Sequence, residues 1–204
     1  TYTPAIKVRE KDTEQVHICL GLEGIPQGDD RLYPLLAVNS ILGGGMSSRL
    51  FQKIREEKGL VYSVYSYPSS YTNIGLFTIY AGMNPEHMER VISMILDEVR
   101  TVAASKVTRD ELAKTKEQLK GEYILGLEST SSRMTSIGKS ELLLEKIFTP
   151  DEVLAKIDAI NYDSICEVVE KVFDTQKVSL AVVGSIGKGK DIEKMMKSLA
   201  QSET

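Results

Sequence analysis

Four helix-start signatures crowd the stretch from Asn84 to Asn161, and segments patterned as strands stand on both sides of it. Asn84 precedes Pro85, Thr108 is followed by Glu111, Thr149 stands before Pro150 and three residues ahead of Glu152, and Asn161 opens the last. The Thr108–Glu111 and Thr149–Glu152 spacings are those of a capping box, in which each side chain satisfies a backbone N–H that the first helical turn leaves without a partner. Upstream, Glu14 to Leu22 alternates, with Val16, Ile18, Leu20 and Leu22 on one face and His17, Cys19 and Gly21 on the other, the period of a strand with one buried face. Downstream, Lys177 to Val183 reads as a short apolar strand and Asp191 to Leu199 as a closing amphipathic helix. Strands at the start, middle and end with helices in blocks predict an α+β fold, a mostly antiparallel sheet with a layer of helices on one face. No repeat, low-complexity tract or Pro- or Ser-rich linker divides the chain, so residues 1–204 are expected to form one domain.

Between the first strand and the helical block, Asp29 or Asp30 is placed to cap a helix through Leu32, Leu35, Leu36, Val38 and Leu42 that stops at Gly43. Ser47 or Ser48 is placed to cap a second, short helix through Leu50, Phe51 and Ile54 that stops at Gly59. Val61 to Tyr67 and Gly75 to Gly82 then read as a hairpin, joined by a loop around Pro68 to Asn73 that should be mobile at its tip.

Composition removes several classes of function. The net charge of -4 and pI near 5.4 come from acids and bases mixed along the whole length, which leaves no electrostatic footprint for nucleic acid or an anionic membrane. No apolar run approaches the roughly 20 residues of a membrane span, and Thr1 to Ile6 is too short and polar for a signal peptide. Cys19 and Cys166, far apart, fit reduced thiols in a cytosolic protein. A zinc site needs three or four ligands held together, whereas His17 and His87 stand seventy positions apart and neither H-E-x-x-H nor H-x-x-E-H occurs, so no metal is expected on this chain. G-x-S-x-G is missing as well. Gly184 to Asp191 nearly matches the phosphate loop G-x-x-x-x-G-K-[ST], but Asp191 puts a carboxylate where a magnesium-binding hydroxyl belongs, and a plain strand-to-helix turn accounts for it better.

The most specific stretch is Gly43-Gly-Gly-Met-Ser-Ser-Arg-Leu-Phe-Gln-Lys-Ile-Arg55-Glu-Glu-Lys-Gly-Leu-Val-Tyr62. Arg55, near the end of the short helix, and Tyr62, at the start of the next strand, are seven apart with Gly59 between, so a turn there can present both heads to one side. A guanidinium brings a permanent charge and a planar fork of donors, and a phenol brings an O–H donor; together they can hold a peptide carbonyl or a developing oxyanion. The ordinary alternative is an Arg bonded to a nearby Glu and a Tyr packed on the sheet, and composition and spacing alone favour it.

That stretch resembles the C-terminal domain of the insulinase, pitrilysin and mitochondrial processing peptidase family, whose members read much like G-G-G-M-S-S-R-L-F-x-x-[IV]-R-x-x-x-G-L-x-Y. It is most similar to the compact bacterial processing proteases, and the likeness runs from the Val16 strand to the Ala181–Gly184 strand. Leu112 to Ser132, with Glu122 and Gly126, and Arg133 beyond it, reads like the family's long helix and the segment after it. The resemblance implies that this chain is the C-terminal, substrate-binding and by itself inactive half of a zinc metalloendopeptidase. The N-terminal half, absent here, would hold zinc through an inverted H-x-x-E-H motif and a distant Glu, and the two halves would close on an unfolded peptide. Arg55 and Tyr62 then match the family's pair that reaches across to the substrate near the metal, and Gly43, Gly44, Gly45 and Ser47 fall in its substrate-binding glycine-rich stretch. The edge of the Val61 hairpin offers a place for an extended peptide to add as a strand. The implied partners are the N-terminal domain, unfolded peptides and a second copy in a homodimer, and the implied location is the cytoplasm. A non-catalytic partner subunit of the same fold, like the core proteins of the respiratory complex, is the rival reading, and a nucleotide-binding module using Gly184 to Lys190 is a third.

Overall fold

The computed structural model describes residues 2–105, 107–187 and 192–201. The elements run β1 (Ile6–Glu10), β2 (Val16–Gly24), α1 (Leu32–Leu42), a π-helical segment (Phe51–Glu56), β3 (Val61–Ser70), β4 (Gly75–Met83), α2 (Met88–Ser105), α3 (Arg109–Gly126), α4 (Thr130–Leu144), α5 (Pro150–Asp158), α6 (Tyr162–Val172), β5 (Ser179–Gly184) and α7 (Ile192–Gln201). The five strands lie in the order β1-β5-β2-β4-β3, and every pairing but β1 with β5 is antiparallel. This is the α+β fold, with a mostly antiparallel sheet, that the patterning predicts.

Alternation decides which face of the sheet is covered. Ile18 sits between Ala81 and Val182, and Leu20 between Ile79 and Leu180, all on the face against α1, α2 and α6. These side chains are almost wholly removed from water, and Phe77 meets Phe173 edge-on at 5.1 Å between ring centroids. Burial of such aliphatic and aromatic groups supplies about 25 cal/mol per Å² of apolar surface, which is what holds the helical layer to the sheet. The opposite face carries His17, Tyr65, Tyr67 and Ala181, all exposed.

Both capping boxes form, Thr108 with Glu111 and Thr149 with Glu152, and Asn161 forms a third with Ser164. Asn84 accepts from the Glu86 N–H ahead of α2. Several sequence expectations need correction. Asp29 does not cap α1 from the N-cap position: its Oδ1 accepts from the Arg31 N–H at 2.9 Å, and Arg31 itself opens the helix without a side-chain cap. The short helix starts at Arg49, directly after Ser48, whose carbonyl accepts from the Gln52 N–H at 3.0 Å, but the Ser48 hydroxyl donates to Gly45 O and makes no side-chain cap bond. The hairpin strand continues past Tyr67 to Ser70, so the loop shrinks to residues 71–74. Pro68 fits there because β3 is an edge strand and the missing N–H faces outward. Leu112 to Ser132 does hold a long helix and the segment after it, since α3 ends at Gly126, but no cap signature announced α4, which starts behind Ser129, whose hydroxyl accepts from the Ser132 N–H. β1 is a strand that no pattern announced. The phosphate-loop resemblance falls partly on residues 188–191, which lie outside the described residues.

Candidate functional site

The stretch from Gly43 to Tyr62 folds around two fixed points. The first is Gly43, whose carbonyl accepts from the Ser66 N–H of β3 at 3.0 Å. A Cβ on Gly43 would stand 2.7 Å from that nitrogen and 2.5 Å from the Ser66 hydroxyl, so only glycine lets the two backbones come this close. Ser66 also donates from its hydroxyl to Asn39 Oδ1 at 2.7 Å, which ties the end of α1 to β3. The loop carbonyls are then taken up in turn: Ser48 Oγ donates to Gly45 O and Gln52 Nε2 to Met46 O, each at 2.6 Å.

The second fixed point is Glu98 on α2, which is 3% exposed. Lys53 Nζ and Arg49 Nη1 both reach its carboxylate, the latter at 3.4 Å. Arg49 further grips Glu111 of α3 with two bonds, Nε at 2.8 Å and Nη2 at 2.9 Å. That guanidinium, together with the capping-box bonds from Thr108, holds the Glu111 carboxyl down to about 2 from its ordinary 4.5, and the carboxylate raises Arg49 in return. Two cations, one turn apart, are thus spent on anchoring the short helix to α2 and α3.

Beyond the anchor the helix widens into a π turn, with the Glu57 N–H donating to Gln52 O at 2.9 Å, a distortion found often beside functional sites. It closes on Gly59 at φ 61°, whose N–H returns to Arg55 O at 3.0 Å in a left-handed cap. Arg55 rides on this turn. Its guanidinium lies 5.0 Å from the centroid of Phe51, and it makes no ion pair or side-chain hydrogen bond with any described residue. The Glu-paired Arg that composition alone favoured is therefore not what forms; Arg49 and Lys53 take the carboxylates instead.

Arg55 lines an open cleft of about 230 Å³ with Gly43, Gly44, Gly45, Met46, Phe51 and the β3 segment Ser63 to Tyr65. Of the residues singled out from sequence, the cleft unites Arg55 with the three glycines. Ser47 is exposed but lies outside the lining, and so does Tyr62. Tyr62 is the extra residue of a bulge: Val61 pairs with Met83 and Ser63 with the very next residue, Gly82. The bulge throws its ring outward, 57% exposed, with its hydroxyl bonded to no described residue. It is not packed on the sheet. The residues missed are Met46, Phe51, Ser63 and Tyr65. The last continues across the open sheet face, its ring tilted against Tyr80 at 4.8 Å between centroids, and the Tyr80 hydroxyl meets His17 Nδ1 at 2.8 Å. The Tyr-rich alternation Tyr62-Ser-Val-Tyr65-Ser-Tyr67 was the signal for it.

Chemically, the cleft offers a cation, an aromatic wall and bare loop backbone, the means to bind a carbonyl oxygen or carboxylate. Its lining holds no His, Cys, Asp or Glu to move a proton or ligate a metal. Nor do the described residues elsewhere gather three such groups. The β3 edge is narrower than a free strand: Ser66 has given its N–H to Gly43 and Pro68 has none, so a peptide adding along its middle would find fewer outward donors. Among the described residues no helix is long and apolar enough to cross a membrane.

A sheet covered on one face, with a glycine-walled cleft at its edge, defines an α+β domain of two layers. The chain belongs to the family described as the peptidase M16 inactive domain, whose model matches residues 1–119. It is 44% identical over 179 residues to YmxG of Bacillus subtilis, described as an uncharacterized zinc protease, covering 88% of this chain and 44% of that one. It is 42% identical over 176 residues to an uncharacterized zinc protease of Streptomyces coelicolor, covering 86% and 38% respectively. The crystal structure of a peptidase M16 inactive domain from Pseudomonas fluorescens superposes with a TM-score of 0.81 at 22% identity, over 92% of this chain and 45% of that one, a likeness of fold. The chain thus spans less than half the length of these relatives.

Proposed function

We propose that this chain is the substrate-holding half of a two-domain zinc metalloendopeptidase acting on unfolded peptides, and that it presents Arg55 and Tyr62 to the peptide. The observation that carries the reading is the division among three neighbouring cations: the fold consumes Arg49 and Lys53 in Glu98 and Glu111 but leaves Arg55 unpaired beside a glycine-walled cleft. An unpaired guanidinium next to exposed backbone is a ready site for a carbonyl oxygen that gains charge. Zinc, held by an H-x-x-E-H motif in the half of the polypeptide outside this chain, would supply the hydrolytic chemistry when bound. Family membership and the descriptions of the relatives support that assignment. Within this chain Arg55 would orient the carbonyl, Tyr62 would donate from the bulge, and Gly43 to Gly45 with Ser47 would let the peptide backbone approach. Assembly as a homodimer and a cytoplasmic location complete the proposal, on family resemblance alone.

The test is peptide hydrolysis by the full-length product of the reading frame. Arg55→Ala and Tyr62→Phe should each lower kcat/KM roughly ten- to a thousandfold, about the scale of one oxyanion donor or less, with zinc content and melting temperature unchanged. Wild-type turnover in both variants would remove the assigned roles. A full-length protein that neither binds zinc nor cleaves would make this a non-catalytic partner subunit instead.

A further inference from the structure

Helix α4 is out of place in water. It spans fifteen residues, none buried, and only Ser140 and Leu144 are even half covered. Met134, Ile137 and Leu142, which fall within one broad helical face, are 67%, 45% and 80% exposed. Leu125, at the end of α3, adds another apolar side chain at 66% exposure. An isolated helix of this length is marginal in water, and helices in folded proteins owe most of their stability to an apolar face packed against something. Exposed clusters of this kind mark interaction surfaces.

Glycine placement points the same way. Gly121, Gly126 and Gly138 lie inside or at the end of α3 and α4, and a Cβ at any of them would meet nothing within 4 Å. A glycine inside a helix costs roughly 0.5–1 kcal/mol relative to alanine. Among the described residues nothing packs on the bare backbone that the cost provides.

We infer that the α4 face formed by Met134, Ile137, Gly138 and Leu142 is the docking surface for the other half of the same polypeptide. The inference rests on the two-domain reading above and adds the surface to it. The occupant is chosen by length. An alignment of 179 residues within a chain of 204 leaves 25 outside, so it reaches across α4 at Thr130–Leu144, yet it accounts for only 44% of the relative. The superposed crystal structure likewise uses only 45% of its chain. The companion shared by this helix and its relatives is therefore the remaining polypeptide, long enough to cover it.

Hydrogen exchange on α4 tests this, read in the 204-residue chain and in the full-length product of the reading frame. The α4 amides should exchange quickly in the short chain and at least about tenfold more slowly in the full-length protein. Ile137→Glu with Leu142→Glu should abolish that slowing in the full-length protein. The same pair should leave the melting temperature of the short chain unchanged, because neither side chain is packed within it. Equal exchange in both proteins would overturn the inference. So would slowing already complete in the short chain at high concentration, since the occupant would then be a second copy. A full-length protein that protects α4 but hydrolyses no peptide would uphold the docking surface while defeating the peptidase reading.

Discussion

Two helices, α6 of 11 residues and α4 of 15, meet opposite fates. α6 turns Ile165, Val168, Val169 and Val172 into the core, whereas α4 turns nothing inward. The short helix between Gly43 and Gly59 shows the same contrast in miniature: its Arg49–Lys53 side is bolted to Glu98 and Glu111, and its Arg55 side is left open. In both places the chain is rigid where it serves its own fold and unsatisfied where it does not. Unsatisfied groups on an otherwise well-packed chain are the ones most worth assigning to partners, and the comparison can be attacked from either side.

The heaviest blow falls on the bolted side. Arg49→Met fills similar volume but strips the buried Glu98 of one cation and Glu111 of its fork. Losing one partner of a buried charge network should cost roughly 3–5 kcal/mol, a fall in melting temperature on the order of 10 °C for a chain of this size. A loss no larger than that of Arg55→Ala would erase the distinction between the two sides. Gly43→Ala comes next. Its methyl would press on the Ser66 backbone at 2.7 Å, and overpacking against a fixed strand should cost roughly 1–3 kcal/mol by thermal or denaturant unfolding.

These costs explain what the sequence could and could not disclose. β2 was legible because its alternation is a direct record of one buried face, and α3, α5 and α6 because their caps are local chemistry written within four residues. β1 was not, since only Ile6 of its five residues is even half buried and its partner β5 is remote in sequence. The start of α4 escaped for a related reason: none of its residues is buried, so no covered face imposes a period on its sequence. In the cleft, motif resemblance found Arg55 and the glycines, but the bulge that swings Tyr62 away from them depends on the pairing register of β3 with β4. Register is settled by tertiary pairing, and no single-strand pattern contains it.

Acid sharpens the contrast with a smaller effect. Glu111 is held at about 2 in the fold against an ordinary 4.5, chiefly by its bonds to Arg49. A depressed carboxyl contributes stability that is complete above its unfolded pKa and is lost as pH falls through the folded one. Stability should therefore decline between pH 4.5 and about 2, and the Glu111→Gln variant should show a shallower decline over that window. Asp29, also held at about 2 by Arg31, and Glu152, lowered by its capping bonds to Thr149, contribute to the slope that remains. An unchanged slope in Glu111→Gln would mean that the Arg49 fork does not stabilise the fold.

The smallest effect on stability is expected at Gly45, two residues from Gly43 and opposite to it in character. A Cβ there meets nothing within 4 Å, and its backbone does not lie in the left-handed region, so alanine can be accommodated without strain. Gly45→Ala should leave unfolding within about 0.5 kcal/mol of the parent, or slightly above it through the stiffer unfolded chain. If Gly43 is glycine for the sake of β3 and Gly45 for the sake of a ligand, the two alanine variants separate: the first loses stability, and the second keeps it while peptide turnover by the full-length protein falls. A Gly45→Ala variant that unfolds as early as Gly43→Ala would make the whole loop a packing device, and the open side of the short helix would lose its claim to a ligand.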